Sequence, residues 1–292
     1  MNSLALQPSI GVARPPLRYL GGKFRLAPQI IQFFPPHRIY AELFGGGASV
    51  LLRKPRAYNE ILNDLDDEIV NLFTVLRDDL LSARLRQLLA LTPCARSEYR
   101  AAFAECDDPV ERARRMIVRS HLGHGTGGVR IDRPTGFRRD GTSGTTNVAG
   151  EWEDLPACLE AVTARLRGVS IECRPALELL PLFDDPKVLV YLDPPYMPET
   201  RSGKSRKAEG YHTYRHEMTE DDHAELLAGI RRSAAMVIIS GYSTPLYNQQ
   251  LADWERVEIR ARAHRNSPRT EVVWINQLAF ASLATVQPRF LQ

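Results

Sequence analysis

The sequence predicts an α/β fold, a largely parallel sheet with helices on both faces and a mainly helical and loop insert near the middle of the chain. Three observations predict it. Short apolar runs alternate with longer stretches whose apolar residues recur every three to four positions. One run, residues 187–193 (KVLVYLD), is apolar on both faces, as a central parallel strand requires. The alternation stops between about residues 92 and 150, where glycine, threonine and arginine dominate.

Taken in order, residues 38–44 (RIYAELF) read as a short strand, and GGGASVLLRK after it as a glycine turn running into a helix. Residues 57–64 (AYNEILND) read as a second strand ending in an acid, and residues 65–91 as helical. Helical pieces follow around Ser97 to His121, then the irregular stretch GHGTGGVRIDRPTGFRRDGTSGTTNVAG. The expected division is a discontinuous main domain, residues 1–91 and 151–292, interrupted by an insert over 92–150. The alternation resumes with a helix over 154–169 and a strand at SIECR. After KVLVYLD comes the helix MTEDDHAELLAGIRRS, with Thr219 as N-cap and Asp222 three residues on, a capping-box start with Asp in place of Glu. AMVIIS, WERVEIRAR and EVVWINQLAF read as further strands.

Hydrophobic content of 43% and charged content of 25% are those of a soluble globular protein. No apolar run has the length of a membrane span, and the N-terminus lacks a charged start before a long apolar stretch, so no membrane partner is expected and a cytoplasmic location is. The cysteines Cys94, Cys106, Cys158 and Cys173 form no C-x-x-C pair and no His/Cys cluster with zinc spacing; they read as reduced, mostly buried thiols, with no metal. Net charge is only +3, yet residues 111–140 hold eight arginines against three acids, a local +5. Such a patch suits a polyanion or, equally, a solvated helix face.

Ligands of open parallel sheets bind at the carboxyl ends of strands, and three expected strand ends carry unusual groups. AELFGGGAS allows close backbone approach. Asp64 stands where an acid can hold ribose hydroxyls, although a helix N-cap is another use for it. Asp193-Pro194-Pro195-Tyr196 sets a carboxylate and a carbonyl, both acceptors, beside a flat aromatic face. Two acceptors match an amino group with two N–H bonds and favour a pyramidal, nucleophilic nitrogen. The aromatic face suits a planar base. The tetrad therefore suits transfer to an exocyclic –NH₂.

On these residues the chain resembles the Dam-type, D12 class DNA adenine-N6 methyltransferases, in LRYLGGKFRLAPQI, YAELFGGGASVLLRK, ILNDLDDEIVNLF and YLDPPY, in the family's order and over nearly the whole chain. The resemblance implies a Rossmann-like methyltransferase sheet, a target-recognition insert over 92–150, S-adenosylmethionine as cofactor with S-adenosylhomocysteine as product, and double-stranded DNA as partner. It is silent on whether a monomer or a homodimer on a palindromic site acts. Tyr19, Lys23, Glu42, Phe44, Gly46, Asp64 and Asp193 fall on the family's cofactor positions, and Asp193, Pro194, Pro195 and Tyr196 on its catalytic tetrad. Ala48 stands where the family often has a further glycine, and Tyr19 where some members have tryptophan. The target adenine would be flipped from the duplex onto Tyr196. DNA contacts are expected from Arg119, Arg130, Arg133, Arg138 and Arg139 of the insert, and from Arg201 and Lys204 in the basic stretch after the tetrad. RARAHRNSPRTE, near the C-terminus, is a third basic stretch.

Rival chemistries fit less well. Pro93-Cys94 mimics the nucleophile of cytosine-C5 methyltransferases but sits in a turn between helices. Cytosine-N4 enzymes more often have Ser or Thr before Pro-Pro-Tyr. RNA or protein methyltransferases would not need the basic insert and the N-terminal Gly-Gly-Lys.

Overall fold

The computed structural model describes residues 11–125, 129–132, 134–139, 147–197, 200, 214–262 and 268–286. The chain forms two compact units. The first holds Met1–Phe24, Gly46–Arg56 and Asp66–Ile171, and the second Arg25–Gly45, Ala57–Leu65 and Glu172–Gln292.

The second unit holds six whole strands, β1 (Ile39–Glu42), β2 (Asn59–Asn63), β4 (Val188–Leu192), β5 (Met236–Gly241), β6 (Glu255–Arg262) and β7 (Pro268–Ile275), and the last residue of β3 (Val169–Glu172), in the sheet order β3-β2-β1-β4-β5-β7-β6. Strands β2, β1, β4 and β5 run parallel, and β7 runs antiparallel to both β5 and β6. Strand β3 meets β2 at its last residue, where Glu172 O accepts from Asp64 N at 3.3 Å. Register pairs Glu42 with Leu62 and with Tyr191, so the residues after β1, β2 and β4 leave the sheet at one edge. The strand order reverses between β1 and β4, which puts the switch point of the parallel part at that edge.

Alternation along each strand supplies the core. Val190, Leu192, Val237, Ile239 and Trp274 are buried on one face against Leu226, Leu227 and Ile230 of α9 (Glu220–Arg232). Each such aliphatic side chain contributes about 1.5–3 kcal/mol by leaving water. Helix α9 opens with the expected capping box, Thr219 and Asp222 satisfying one another's backbone N–H groups. On the other face Phe34, after α1 (Ala27–Ile31), packs its ring 5.7 Å from those of Tyr40 and Tyr191. Strand β4 is buried at all five positions, as its two-faced apolar sequence predicts. The strand expected over residues 271–280 stops at Ile275. There the Asn276 side chain accepts from Val237 N and Ala279 N, turning the chain into α11 (Gln277–Val286). The second unit is completed by α8 (Ala176–Leu179) and α10 (Pro245–Gln250).

The first unit is helical: α2 (Asp67–Arg77), α3 (Asp79–Leu91), α4 (Arg96–Ala101), α5 (Pro109–Leu122), α6 (Val148–Glu153) and α7 (Leu155–Leu166). The helical stretch expected over 65–91 divides at Asp78, whose extended backbone ends α2 and whose carboxylate accepts from Leu80 N and Leu81 N to start α3. The segment 92–150 contributes helices α4 and α5 to this unit. Its helix α5, amphipathic and capped by Asp108, packs on α2 and α3 of the same unit. The helix expected after the glycine run is replaced by turns: Leu52 N–H bonds Ala48 O and Lys54 N–H bonds Val50 O, but Arg53 N–H between them reaches back only three residues, to Val50 O.

Candidate active site

In the second unit, Asp193 is the first residue after β4, at the switch-point edge. Its Oδ1 accepts from Ser240 Oγ on β5 at 3.1 Å. A hydroxyl has one proton, so Tyr191, 2.8 Å from the same Oγ, is then the donor to Ser240. Burial, followed by the Asp193 charge, raises the Tyr191 pKa well above its ordinary value, so that phenol keeps its proton. The result is a buried relay, Tyr191 to Ser240 to Asp193, that fixes one carboxylate oxygen. Pro194 and Pro195 add no backbone donors there.

Tyr196 follows. Its hydroxyl donates to Glu271 Oε1 on β7, a carboxylate only 3% exposed. Burial, then the Asp193 and Glu271 charges, push the Tyr196 pKa well up, which keeps it a neutral donor. Its ring lies 4.5 Å from that of Tyr242, tilted by 58°. A base inserted between two rings needs roughly 7 Å, twice a contact distance of about 3.5 Å. Tyr242 therefore packs too closely on Tyr196 for a base to enter between the two rings. A small cleft lies here, lined by Tyr196, Met197, His223, Tyr242, Thr244 and Tyr247 among others. His223 Nδ1 is 2.9 Å from the Tyr247 hydroxyl, which fixes the cleft wall.

The ends of β1 and β2 lie along the same edge. Glu42 is buried and accepts from the Tyr40 hydroxyl at 2.7 Å, while Phe44 packs half-buried on the core. Gly45 N donates to Asn63 O at 2.7 Å, and a Cβ on Gly45 would stand 2.7 Å from Leu62 Cδ1, so no other residue fits. Asn63 is a buried brace, its amide donating to Leu43 O and Arg174 O at 2.9 Å and its oxygen accepting from Arg174 N at 3.0 Å. Asp64 is half-buried just beyond β2, and it does not cap α2, because Asp66 does.

In the first unit, the Tyr19 ring lies against the glycine turn. A Cβ on Gly46, which has φ of 47°, would stand 2.8 Å from Tyr19 Cε1. Lys23 is 4% exposed, its ammonium donating to Gly21 O at 3.0 Å.

The expected DNA-contacting residues divide. Arg119 is a correction: it is 1% exposed and its guanidinium is held by Ala102 O, Val129 O and Glu68 Oε2, so it braces the unit's interior rather than meeting a polyanion. The local +5 is likewise largely answered from elsewhere. Arg112 pairs with Asp67 and Glu68, Arg114 with Glu98 and Glu111, and Arg115 with Glu111. Arg130 bonds Asp132, Arg138 bonds Glu151 and Arg139 is exposed. Arg133, Arg201 and Lys204 lie outside the described residues, as do most of the basic stretch after the tetrad and the middle of RARAHRNSPRTE. His121 is structural: buried, with Nε2 3.0 Å from Pro16 O, and its pKa is pushed down to about 3 by burial. The four cysteines are not in disulfides, but the expectation that most are buried is corrected. Cys94, Cys106 and Cys158 are half-exposed and Cys173 is exposed, since each sits on a helix end or loop away from the core. No described helix is long and apolar enough to cross a membrane.

Ser240, Glu271, Asn63 and Tyr242 were not singled out by the sequence. Ser240, Asn63 and Tyr242 are ordinary residues at strand ends and Glu271 is one in the middle of β7, and only strand register brings each to the tetrad or the glycine turn.

Residues 19–121 match the family model for D12 class N6 adenine-specific DNA methyltransferases. Proteins named DNA adenine methylase from Escherichia coli and Salmonella typhi are 25% identical over 262 residues, spanning 86% of this chain and 89% of theirs. A protein named Type II methyltransferase M.MjaIII, from Methanocaldococcus jannaschii, is 24% identical over 269 residues, covering 81% of this chain and 87% of its own.

Proposed function

From the premise that this chain carries a D12 class N6 adenine-specific DNA methyltransferase domain, we propose that it transfers a methyl group from S-adenosylmethionine to N6 of a flipped adenine in duplex DNA. One observation carries the reading: the Asp193 carboxylate, at the sheet's switch-point edge, has one oxygen engaged by Ser240 and the tethered Tyr196 ring three residues on.

The residues present fit the cofactor. Asp64 offers a carboxylate just beyond β2, and Lys23 offers a cation beside the Gly21 carbonyl. In this reading Asp64, Glu42 and Phe44 of the second unit and Lys23, Tyr19 and Gly46 of the first are assigned to the cofactor, Asp64 to its ribose hydroxyls and Lys23 to its carboxylate. Bound S-adenosylmethionine supplies an electrophilic methyl group and leaves as S-adenosylhomocysteine. Asp193 and the Pro194 carbonyl accept the two N–H bonds of the adenine amine. That draws its lone pair out of the ring and points it at the methyl group. The relay through Ser240 holds Asp193 in place, so little reorganisation is needed when charge develops on the amine. Tyr196, held by Glu271 and packed on Tyr242, is assigned to stack on the base. The proton of the methylated amine leaves to solvent. Arg130, Arg138 and Arg139 are the described residues assigned to DNA.

Long-read sequencing of plasmid from cells expressing the chain tests this. N6-methyladenine confined to one short context is the expected result. Modified cytosine, or no modified base from a folded protein that binds S-adenosylmethionine, would overturn it.

A further inference from the structure

In the first unit two arginines converge on Glu151, and a third arginine, Arg18, feels the charges of all three. Arg14 Nη1 donates to Glu151 O at 2.7 Å, and Arg138 Nη1 donates to Glu151 Oε2 at 2.8 Å. The Arg18 backbone is anchored nearby, its N–H donating to Ser120 Oγ at 2.7 Å. The Arg18 side chain is held where burial, then the charge of Arg138, disfavours its cation, with Glu151 opposing and Arg14 adding to the effect. Arg18 Nη1 is buried and has no hydrogen-bond partner among the described residues. Three cations against one anion leave an excess of two positive charges, and one buried guanidinium N–H group lacks an acceptor.

Buried donors without acceptors are rare enough that each calls for a partner. The missing partner is an anion with several acceptor oxygens, because guanidinium forks match such groups by paired hydrogen bonds. We propose that Arg14, Arg18 and Arg138 form a site for a phosphodiester of the DNA backbone, with Glu151 as the resident carboxylate that the phosphate displaces from Arg138. The proposal rests on the DNA-methyltransferase reading above and deepens it. It places part of the DNA grip on the N-terminal segment, outside residues 92–150. Glu151 suits the role of placeholder: its side chain is 40% exposed, against 12% for Arg138, so it can swing to solvent while the arginine stays. In the free protein it offsets one of the crowded cations.

The test is fluorescence anisotropy of a labelled duplex between 50 and 200 mM salt, read as the slope of log affinity against log salt. One lost phosphate contact changes that slope by about 0.9. Arg18→Gln and Arg14→Gln are expected to flatten it, by up to about 0.9 between them if they share one phosphate. Arg18→Lys should restore most of the slope, and Arg231→Gln, whose partner is Asp253 in the second unit, should leave it unchanged. Glu151→Gln is the sharper variant, because it frees Arg138. Tighter binding and a steeper slope are expected, whereas a purely structural ion pair would give weaker or unchanged binding. Unchanged slopes in both arginine variants, or weaker binding by folded Glu151→Gln, would overturn the proposal. So would calorimetry in which inorganic phosphate binds in an Arg18-dependent way while the DNA slope ignores Arg18. A wild-type chain that makes no N6-methyladenine yet shows these slope changes would remove the functional reading and leave the anion site. A methylating chain without them would do the reverse.

Discussion

Ser240→Ala isolates the relay that holds the proposed catalytic carboxylate. The substitution removes one hydroxyl engaged with both Asp193 Oδ1 and the Tyr191 phenol. The Tyr191 phenol is buried and loses its acceptor, and an unsatisfied buried polar group costs about 1–3 kcal/mol. Asp193 is only half-buried, so water can replace the lost donor there, and the stability cost should stay near about 2 kcal/mol. For a chain of 292 residues that lowers the melting temperature by roughly 3 °C. Activity responds to the same bond differently. Asp193 loses its fixed orientation, and a rise of about 1.4 kcal/mol in the barrier is a tenfold fall in kcat. Single-turnover methyl transfer to a duplex bearing the recognised context reads this, with S-adenosylmethionine affinity as the control. Tyr191→Phe separates the two effects. It keeps the bond from Ser240 to Asp193, so it should change stability while leaving kcat within about twofold. If Ser240→Ala melted several degrees lower but kept wild-type kcat, the relay would be a packing feature and its assignment to Asp193 would fall.

Asp193→Ala should abolish methyl transfer while circular dichroism and cofactor calorimetry stay near wild type, and near-normal turnover would remove it from the mechanism. Arg119→Ala should cost about 1–3 kcal/mol in chemical denaturation for each of two buried carbonyls, Ala102 O and Val129 O, that lose their donor, while Glu68 keeps Arg112. Arg119→Met, which refills the volume, should recover part of that, and neither variant should show a DNA-specific loss once folded. Ala48→Gly should stabilise by about 0.5–1 kcal/mol. It relieves a left-handed alanine costing about 1–2 kcal/mol, less the entropy glycine adds to the unfolded chain. An unchanged or lower melting temperature would show that the turn holds no such strain. His121 gives a pH signature. Its folded pKa, about 3, lies below the ordinary 6.5, so its contribution is complete above pH 6.5 and is lost as pH falls from there toward 3. Wild-type stability should drop by about 2 kcal/mol between pH 7.5 and pH 5, and His121→Gln should flatten that fall.

The sequence alone determined features whose causes are local. Five successive apolar residues before Asp193 could only be a strand covered on both sides, and β4 is buried throughout. Thr219 and Asp222 specify a helix start because both partners of the capping box lie within four residues. Two prolines must end a strand, so the tetrad was placed at a strand end without coordinates. What tertiary structure decided was pairing between residues distant along the chain. Residues 111–140 look strongly cationic in isolation. The acids that answer Arg112, Arg114 and Arg119, namely Asp67, Glu68 and Glu98, come from α2 and α4, so only helix packing reveals which arginines stay open to a polyanion. Ser240 and Glu271 carry no local mark at all. They matter because β5 lies beside β4 and β7 beside β5, a consequence of strand order and register that no periodicity encodes. Burial and charge compensation are set by distances in space, and those exist only once the helices and strands have packed.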